Sequence, residues 1–387
     1  MTHTQARATI RRYYLYAFVG SLQFTWTTWL AFVLARGGNP GWAESAYHLA
    51  ILLGEVPTGA VADLLGRRFS MMIGLGLSLV AALGHLWIHD TFTAVLFVGL
   101  SGFATTFHSG ASQALLYETA EVVGGTDYAR KALARANALQ LAALAVAPAI
   151  AGFLYQWRDW SPFIAKAIMV SVTFLIVRGM VEKQSVAPSE GRRTVWGQTG
   201  AAVRTVLANR PVAIMVLFGW VYNTALAMTG QYGQAYFPYT GLAMGITGIV
   251  FAVGTSASSG GSALAERVSA TGAGRLLRFA PVFAGLGILG MGFFGLHGMA
   301  IMGVAAYLIA ASADGLMYPV FEAKLNQAIP NDQRATILSI QNAGFSMFMS
   351  MTFPAASYLS PIPMIYVVTG AVSLGLALIW MLRRWQY

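Results

Sequence analysis

The chain has 387 residues, 57% of them hydrophobic and 10% charged, with no cysteine and a formal net charge of +10. Soluble domains carry about 25% charged residues, so this composition excludes an ordinary soluble core. The lack of cysteine excludes disulfides, thiol catalysis and cysteine-ligated metals.

Apolar runs of about 20 residues read as membrane-spanning helices. In chain order they fall at 13–35, 42–64, 69–88, 92–118, 130–156, 161–181, 211–237, 240–264, 275–296, 298–323, 335–358 and 361–382. This predicts an all-α membrane protein with twelve transmembrane helices. Arg11-Arg12 before the first run mimic a twin-arginine signal, but the run is too long and further spans follow it, so they read as a cytoplasmic anchor. With a cytoplasmic N-terminus and alternating loops, all of the 24 Lys and Arg except Arg36, Arg158 and Lys166 fall on one side. This positive-inside bias predicts a multi-pass cell-membrane protein with both termini cytoplasmic. It also accounts for the basic charge without nucleic acid.

Span two ends in Gly59-Ala-Val-Ala-Asp63-Leu-Leu-Gly66-Arg67-Arg68, a charged link too short to be more than a tight hairpin. Such a link reads as a gate element rather than a catalytic one. Glu55 lies eight residues before Asp63, about 12 Å deeper at the helical rise. A carboxylate at that depth is costly and a functional candidate by default. It is either a proton-coupling group or a structural carboxyl satisfied by a neighbour.

His85 and His89 at the end of span three have metal-binding spacing, but without a third firm ligand no metal is expected. His108 in span four either titrates near neutral pH or packs through hydrogen bonds. Lys166 in span six reads as a snorkelling lysine, with anion binding as the alternative. Asp314, in the middle of span ten beside Gly315, Tyr318 and Pro319, is a second proton or substrate candidate. Glu118 and Glu322 end spans four and ten, and with Arg135 and Arg334 they read as ion-pair networks that change with state. Gly285-x-Gly287-x2-Gly290 matches a dinucleotide fingerprint, but no strand precedes it, so close helix packing is the better reading.

The polar stretch 182–210 reads as a linker between an N-terminal bundle, 1–181, and a C-terminal bundle, 211–387. Within it Val195, Trp196, Val203, Val206 and Leu207 fit one face of a helix lying on the membrane. The halves echo one another near an offset of about 200 residues: Gly59-x3-Asp63 with Gly261-x3-Ala265-Glu266-Arg267, Tyr117-Glu118 with Phe321-Glu322, and Arg135-Ala with Arg334-Ala. Pseudo-symmetric six-helix repeats are a common transporter plan.

The 59–68 stretch matches the hallmark loop of the major facilitator superfamily, and the chain resembles that family over its whole length. Glu55-Val-Pro57-Thr-Gly59, Ser109-Gly110, Ala114-Leu-Leu-Tyr-Glu118 and Arg334-Ala-Thr are similar to its bacterial drug or metabolite exporters. Two features depart: span four holds no arginine, and the antiporter signature of span five survives as Ala147-Pro148-x3-Gly152.

The resemblance implies a secondary active transporter, not an enzyme, working by alternating access. It implies proton-coupled export of a small amphipathic or hydrophobic compound, with uptake of a metabolite as the alternative. A non-transporting sensor or scaffold is the reading from another class. Gly59, Asp63, Gly66, Arg67 and Arg68 would gate, with Asp63 facing the start of span eleven near Ala335 and Thr336. The helices the family uses for its cavity supply Gln23, Trp26, Gln113, Gln140, Tyr222, Asn223, Gln231, Tyr232, Tyr318, Gln341 and Asn342 as substrate-binding candidates. No Walker loop is visible, so the expected coupling agent is the proton, with sodium as the alternative and no cofactor. One chain in the lipid bilayer would hold a complete pathway, so a functional monomer is expected.

Overall fold

The computed structural model describes residues 1–182, 206, 208–265, 267–329 and 334–382, without the side chains of 270 and 334–336. The expected linker therefore lies almost wholly outside the described residues, as do Glu266 and the side chain of Arg334. Among the described residues the regular elements are helices, with no strand. The chain divides into two compact units, Met1–Ser189 and Glu190–Tyr387.

The first unit contains α1 (His3–Gly20), α2 (Trp29–Ala35), α3 (Pro40–Leu65), α4 (Arg67–Gly84), α5 (Thr91–Thr106), α6 (Ala111–Trp157) and α7 (Ser161–Arg178). These seven helices make six passes. The first pass is α1 followed by α2. The fourth is α5 plus the start of α6, which turns at Gly124 and Gly125 (φ 72°) before its long second part makes the fifth pass. Gly125 supplies the positive φ that a residue with a side chain resists.

The second unit contains α8 (Arg210–Tyr239), α9 (Met244–Ala265), α10 (Ala270–Leu296), α11 (Ala300–Ala328), α12 (Arg334–Ser357) and α13 (Pro363–Leu382), one helix for each pass. Among the described residues 8 helical stretches are by length and composition apolar enough to cross a membrane, and one of them, 91–157, holds two passes. The broken first pass, α9 and α12 fall short of that measure. The first is interrupted, and the other two are diluted by Gly, Ser, Thr, Asn and Gln.

The helix ends are written in the sequence. Asn39 caps α3 by accepting the Gly41 amide at 2.8 Å, with Pro40 in the first helical position, where its missing N–H costs nothing. Asp90 caps α5 by accepting the Thr93 amide at 2.8 Å. Gly66, at φ 98°, joins α3 directly to α4.

Within the first unit α1 packs on α6 and α7, α3 on α5, and α4 on α5 and α7. Tyr13, Met71, Leu75 and Leu115 fill its core, with alanines between them. In the second unit α10 packs on α11 and α13, and α9 on α11, through glycines that let backbones meet. A Cβ on Gly287 would lie 2.6 Å from the Ala306 carbonyl, and one on Gly285 2.8 Å from the Leu374 backbone. The Gly285–Gly290 stretch is thus a packing surface inside α10. Small residues that allow close approach are the usual adhesive of membrane helices, because lipid supplies no hydrophobic drive between them.

Candidate functional site: a polar cavity in the first unit

The run 13–35 was expected as one helix, and the structure breaks it. From Ser21 to Thr28 the chain makes short turns, with the Gln23 amide on the Ser21 carbonyl at 2.9 Å and the Phe24 amide on Leu22 at 3.0 Å. Hydroxyl residues compete here for backbone groups: Thr28 Oγ1 donates to Phe24 and Thr25. Pass four breaks too, at Phe107–Gly110, where Gly110 has φ 50°. Carbonyls freed by this second break find partners on other helices. Thr58 Oγ1 of α3 donates to Thr106 at 3.1 Å, and Ser70 Oγ of α4 donates to Phe107 at 3.0 Å. Gly74 lets α4 come close, since a Cβ there would sit 2.8 Å from both His108 Nε2 and Phe107.

Irregular backbone at membrane depth survives where it is enclosed by protein or lines a cavity. Both breaks do line one, a space of about 560 Å3 within the first unit. The first break contributes Ser21, Gln23 and Trp26, and the second contributes His108 and Ser109. Glu55 of α3, Gln140 of α6 and Lys166 of α7 complete the polar wall, with Tyr16 and Tyr47 beside them. Glu55 is an exposed residue on this wall rather than one packed against a neighbour. His108 keeps a buried Nδ1 with no hydrogen-bond partner. Gln113 is exposed one position beyond Ser112, which does line the space.

The 59–68 stretch forms the base of the same unit. Arg67 pairs with Glu118 at 2.9 Å, so the end of pass four is tied to the hairpin link and not to Arg135, which sits beside Tyr14. Glu182 accepts the backbone amides of Arg67 at 2.7 Å and Arg68 at 3.0 Å, capping α4. The guanidinium of Arg68 donates to the Met180 carbonyl at 2.8 Å, and that of Arg12 to Gly179. Asp63 stands partly buried in the last turn of α3. The side chains expected opposite it, Ala335 and Thr336, lie outside the described residues. A Cβ on Gly59 would meet nothing within 4 Å.

In the second unit several candidates are bound into the bundle. Tyr232 donates to the Phe353 carbonyl at 3.1 Å and stacks on that ring. The Gln341 side-chain amide donates to Glu322 at 3.2 Å, and the Gln341 backbone carbonyl accepts Trp220 Nε1 at 2.9 Å. Gln231 accepts the Gln234 amide at 2.9 Å. Tyr222 is buried on Phe218 with its hydroxyl unpartnered, within electrostatic reach of Asp314. Asn223 is partly buried, while Tyr318 and Asn342 are exposed.

Lys166, read as snorkelling with anion binding as the alternative, lines the cavity. Three further groups escape a reading of the sequence. Thr58 and Ser70 satisfy a break that hydropathy does not reveal. Glu182 was assigned to the linker, although an acid among the cations that follow span six was a visible clue. Glu44 and His48 form a buried i, i+4 pair at 3.5 Å in α3. His85 also proves to be a core residue, bonded to the Ala81 carbonyl at 2.6 Å and stacked on Phe163.

A sequence model described as the Major Facilitator Superfamily matches residues 13–321. Among curated proteins the chain is similar to the MFS-type transporter YwoD of Bacillus subtilis, 27% identical over 46% of this chain and 36% of that protein. It is also similar to the MFS-type transporter YceJ of the same organism, 24% identical over 78% of this chain and 75% of that one. Among solved structures it superposes on a variant of the nucleoside transporter NupG, with TM-score 0.79, 12% identity, and 97% and 98% of the two chains covered. A D-xylose-proton symporter gives TM-score 0.74 at 15% identity, covering 96% and 97%. The chain belongs to the Major Facilitator Superfamily, as a membrane transporter rather than an enzyme.

Proposed function

We propose that the protein is a proton-coupled secondary transporter working by alternating access, exporting a small amphipathic compound in exchange for protons, with both termini in the cytoplasm. The observation that carries this reading is the cavity between the two helix breaks, with Glu55 open on its wall beside Gln23, Trp26 and Gln140. A carboxylate that water and substrate can both reach is suited to take up and release a proton. Tyr16, Tyr47 and Trp26 offer an apolar surface with polar tips, as small-molecule sites commonly do. The ties from Arg67, Arg68 and Glu182 hold the link between α3 and α4, where gating is expected.

A second reading, proton-coupled uptake, is favoured by Lys166. An ammonium sharing a cavity with Glu55 makes an anionic solute and a proton on Glu55 mutually favourable, so the two would move the same way. A D-xylose-proton symporter shares the fold.

Purified protein in liposomes loaded with a pH-sensitive dye separates the two readings. Lipophilic cations, antibiotics, sugars and organic acids are added in turn. Compound entry accompanied by proton exit supports exchange, and entry accompanied by proton entry supports uptake. Compound entry with no proton movement would sink the coupling in both.

A further inference from the structure

Lys166 shares one face of α7 with Met169, Val170 and Thr173, and all four line the cavity. Their spacing of three, four and seven residues is that of a single helical stripe. Phe163 and Ala167, which flank this stripe, are buried in the core. The lysine is therefore aimed along the cavity stripe. It is partly buried, and among the described residues no hydrogen bond or ion pair engages its ammonium. Glu55 lines the same space, but the two do not form an ion pair.

An ammonium has three donors and a strong need for a counter-charge once water is withdrawn. Glu55 competes for the choice of ligand, since it would draw a cation. It is the exposed member of the two, however, so water screens it more than the partly buried lysine. No arginine stands among the lining residues. That argues against a phosphate, whose planar bidentate recognition favours arginine. One compact positive charge shares the lining with the aromatic side chains of Tyr16, Trp26 and Tyr47.

We propose that Lys166 anchors the carboxylate of a small amphipathic organic anion whose apolar body rests against Trp26 and Tyr16. This assignment rests on the reading of the cavity as part of the transport path. An anionic ligand fits the second reading, in which solute and proton move the same way, more directly than exchange.

Three probes of one skeleton test it: 3-phenylpropanoate, the neutral 3-phenylpropanamide and the cationic 3-phenylpropylamine. Calorimetry on the detergent-purified full chain should show the carboxylate binding at least tenfold more tightly than the amide or the amine. Replacing the lysine by Lys166→Met should weaken the carboxylate by about ten- to a hundredfold, as expected for a charge-assisted hydrogen bond, and leave the amide unchanged. Lys166→Arg should keep most of the preference, which shows that the fold tolerates change at this position. No binding of the carboxylate at millimolar concentration overturns the proposal. So does an equal affinity for all three probes, or a carboxylate preference that survives in Lys166→Met.

The same proteins in liposomes separate this proposal from the one beneath it. Carboxylate that binds through Lys166 but never crosses the membrane leaves the site standing and removes its transport role. Carboxylate that crosses equally well in the parent and in Lys166→Met leaves transport standing and removes the anion site.

Discussion

The two units use their polar groups in opposite ways. In the first, two of the six passes are interrupted, and Gln23, Trp26, His108 and Ser109 at the breaks face a cavity. In the second, the passes run unbroken and aromatic tips staple helices together. Tyr236 donates to the Met291 carbonyl at 2.7 Å, Trp380 to Leu277 at 2.8 Å, and Tyr366 to Thr229 at 3.3 Å. Bonds of this kind between membrane helices contribute about 0.6 kcal/mol each on average, so they set geometry more than stability. The lesson is that a polar residue in a membrane helix is not by itself a site. What distinguishes the first unit is broken backbone whose freed carbonyls other helices have taken up.

The sharpest way to break this contrast is to compare the two acids. Glu55→Gln should lower compound-driven proton flux by tenfold or more in liposomes, with ligand binding kept within about threefold. Asp314→Asn, on a helix packed through Gly315, should have the smaller effect on flux. A flux lost in Asp314→Asn and kept in Glu55→Gln would move the coupling group into the second unit and reverse the comparison.

The next effect tests packing. A Cβ on Gly315 would collide with the Ser258 backbone of α9, and Ser262 Oγ donates to the Gly315 carbonyl at 3.0 Å. Gly315→Ala should therefore destabilise the protein by about 1–3 kcal/mol, read as a lowered unfolding midpoint in detergent. Gly59→Ala, with open space around it, should leave the midpoint unchanged or slightly raised. Equal losses at the two positions would show that α9 and α11 yield easily and that the second unit is not held by backbone contact.

Most of the fold was legible because hydropathy is a property of long runs. The twelve apolar segments and the Gly66 link sit where composition puts them, the first segment as two helices rather than one. The candidate site was legible only in part. Gln23, Trp26, Glu55, His108 and Gln140 were named and do share one cavity. The breaks at 21–28 and 107–110 were missed because each is short and lies between strongly apolar flanks. For Lys166 the sequence left snorkelling and anion binding open, because the direction of a side chain depends on which face of α7 packs inward. The Arg67–Glu118 pair joins residues far apart in the chain, and nothing in their local sequence specifies it.

Smaller effects belong to the base of the first unit. Glu182→Ala removes the acceptor for the amides of Arg67 and Arg68 and should cost about 0.5–2 kcal/mol, the range for a lost helix cap. Arg67→Gln breaks a pair whose side chains are 25% and 38% exposed, so its effect on stability should be under about 1 kcal/mol. A gating role predicts a larger effect on transport rate than on the unfolding midpoint for both variants. If rate and midpoint fall in proportion, the network is structural only.

The smallest effect lies at the turn before α5. Thr93 donates both its hydroxyl, at 2.7 Å, and its amide, at 2.8 Å, to Asp90 Oδ1. These bonds, the hydroxyl foremost, hold the Asp90 carboxyl below the usual carboxylate range, with a minor contribution from His89. Because the folded value is the lower one, the ionised carboxyl stabilises the fold fully at pH above the unfolded value of about 3.9. That contribution is lost as pH falls through the folded value, where the protonated group can no longer accept both bonds. Asp90→Asn keeps a capping oxygen without titrating. The gap between the parent and Asp90→Asn unfolding midpoints should therefore hold between about pH 6 and pH 5 and narrow as pH falls below about 4 toward pH 3. A gap that stays constant across that interval would mean that the exposed cap adds nothing that depends on its charge, and that the fold's acid sensitivity arises at other carboxyls.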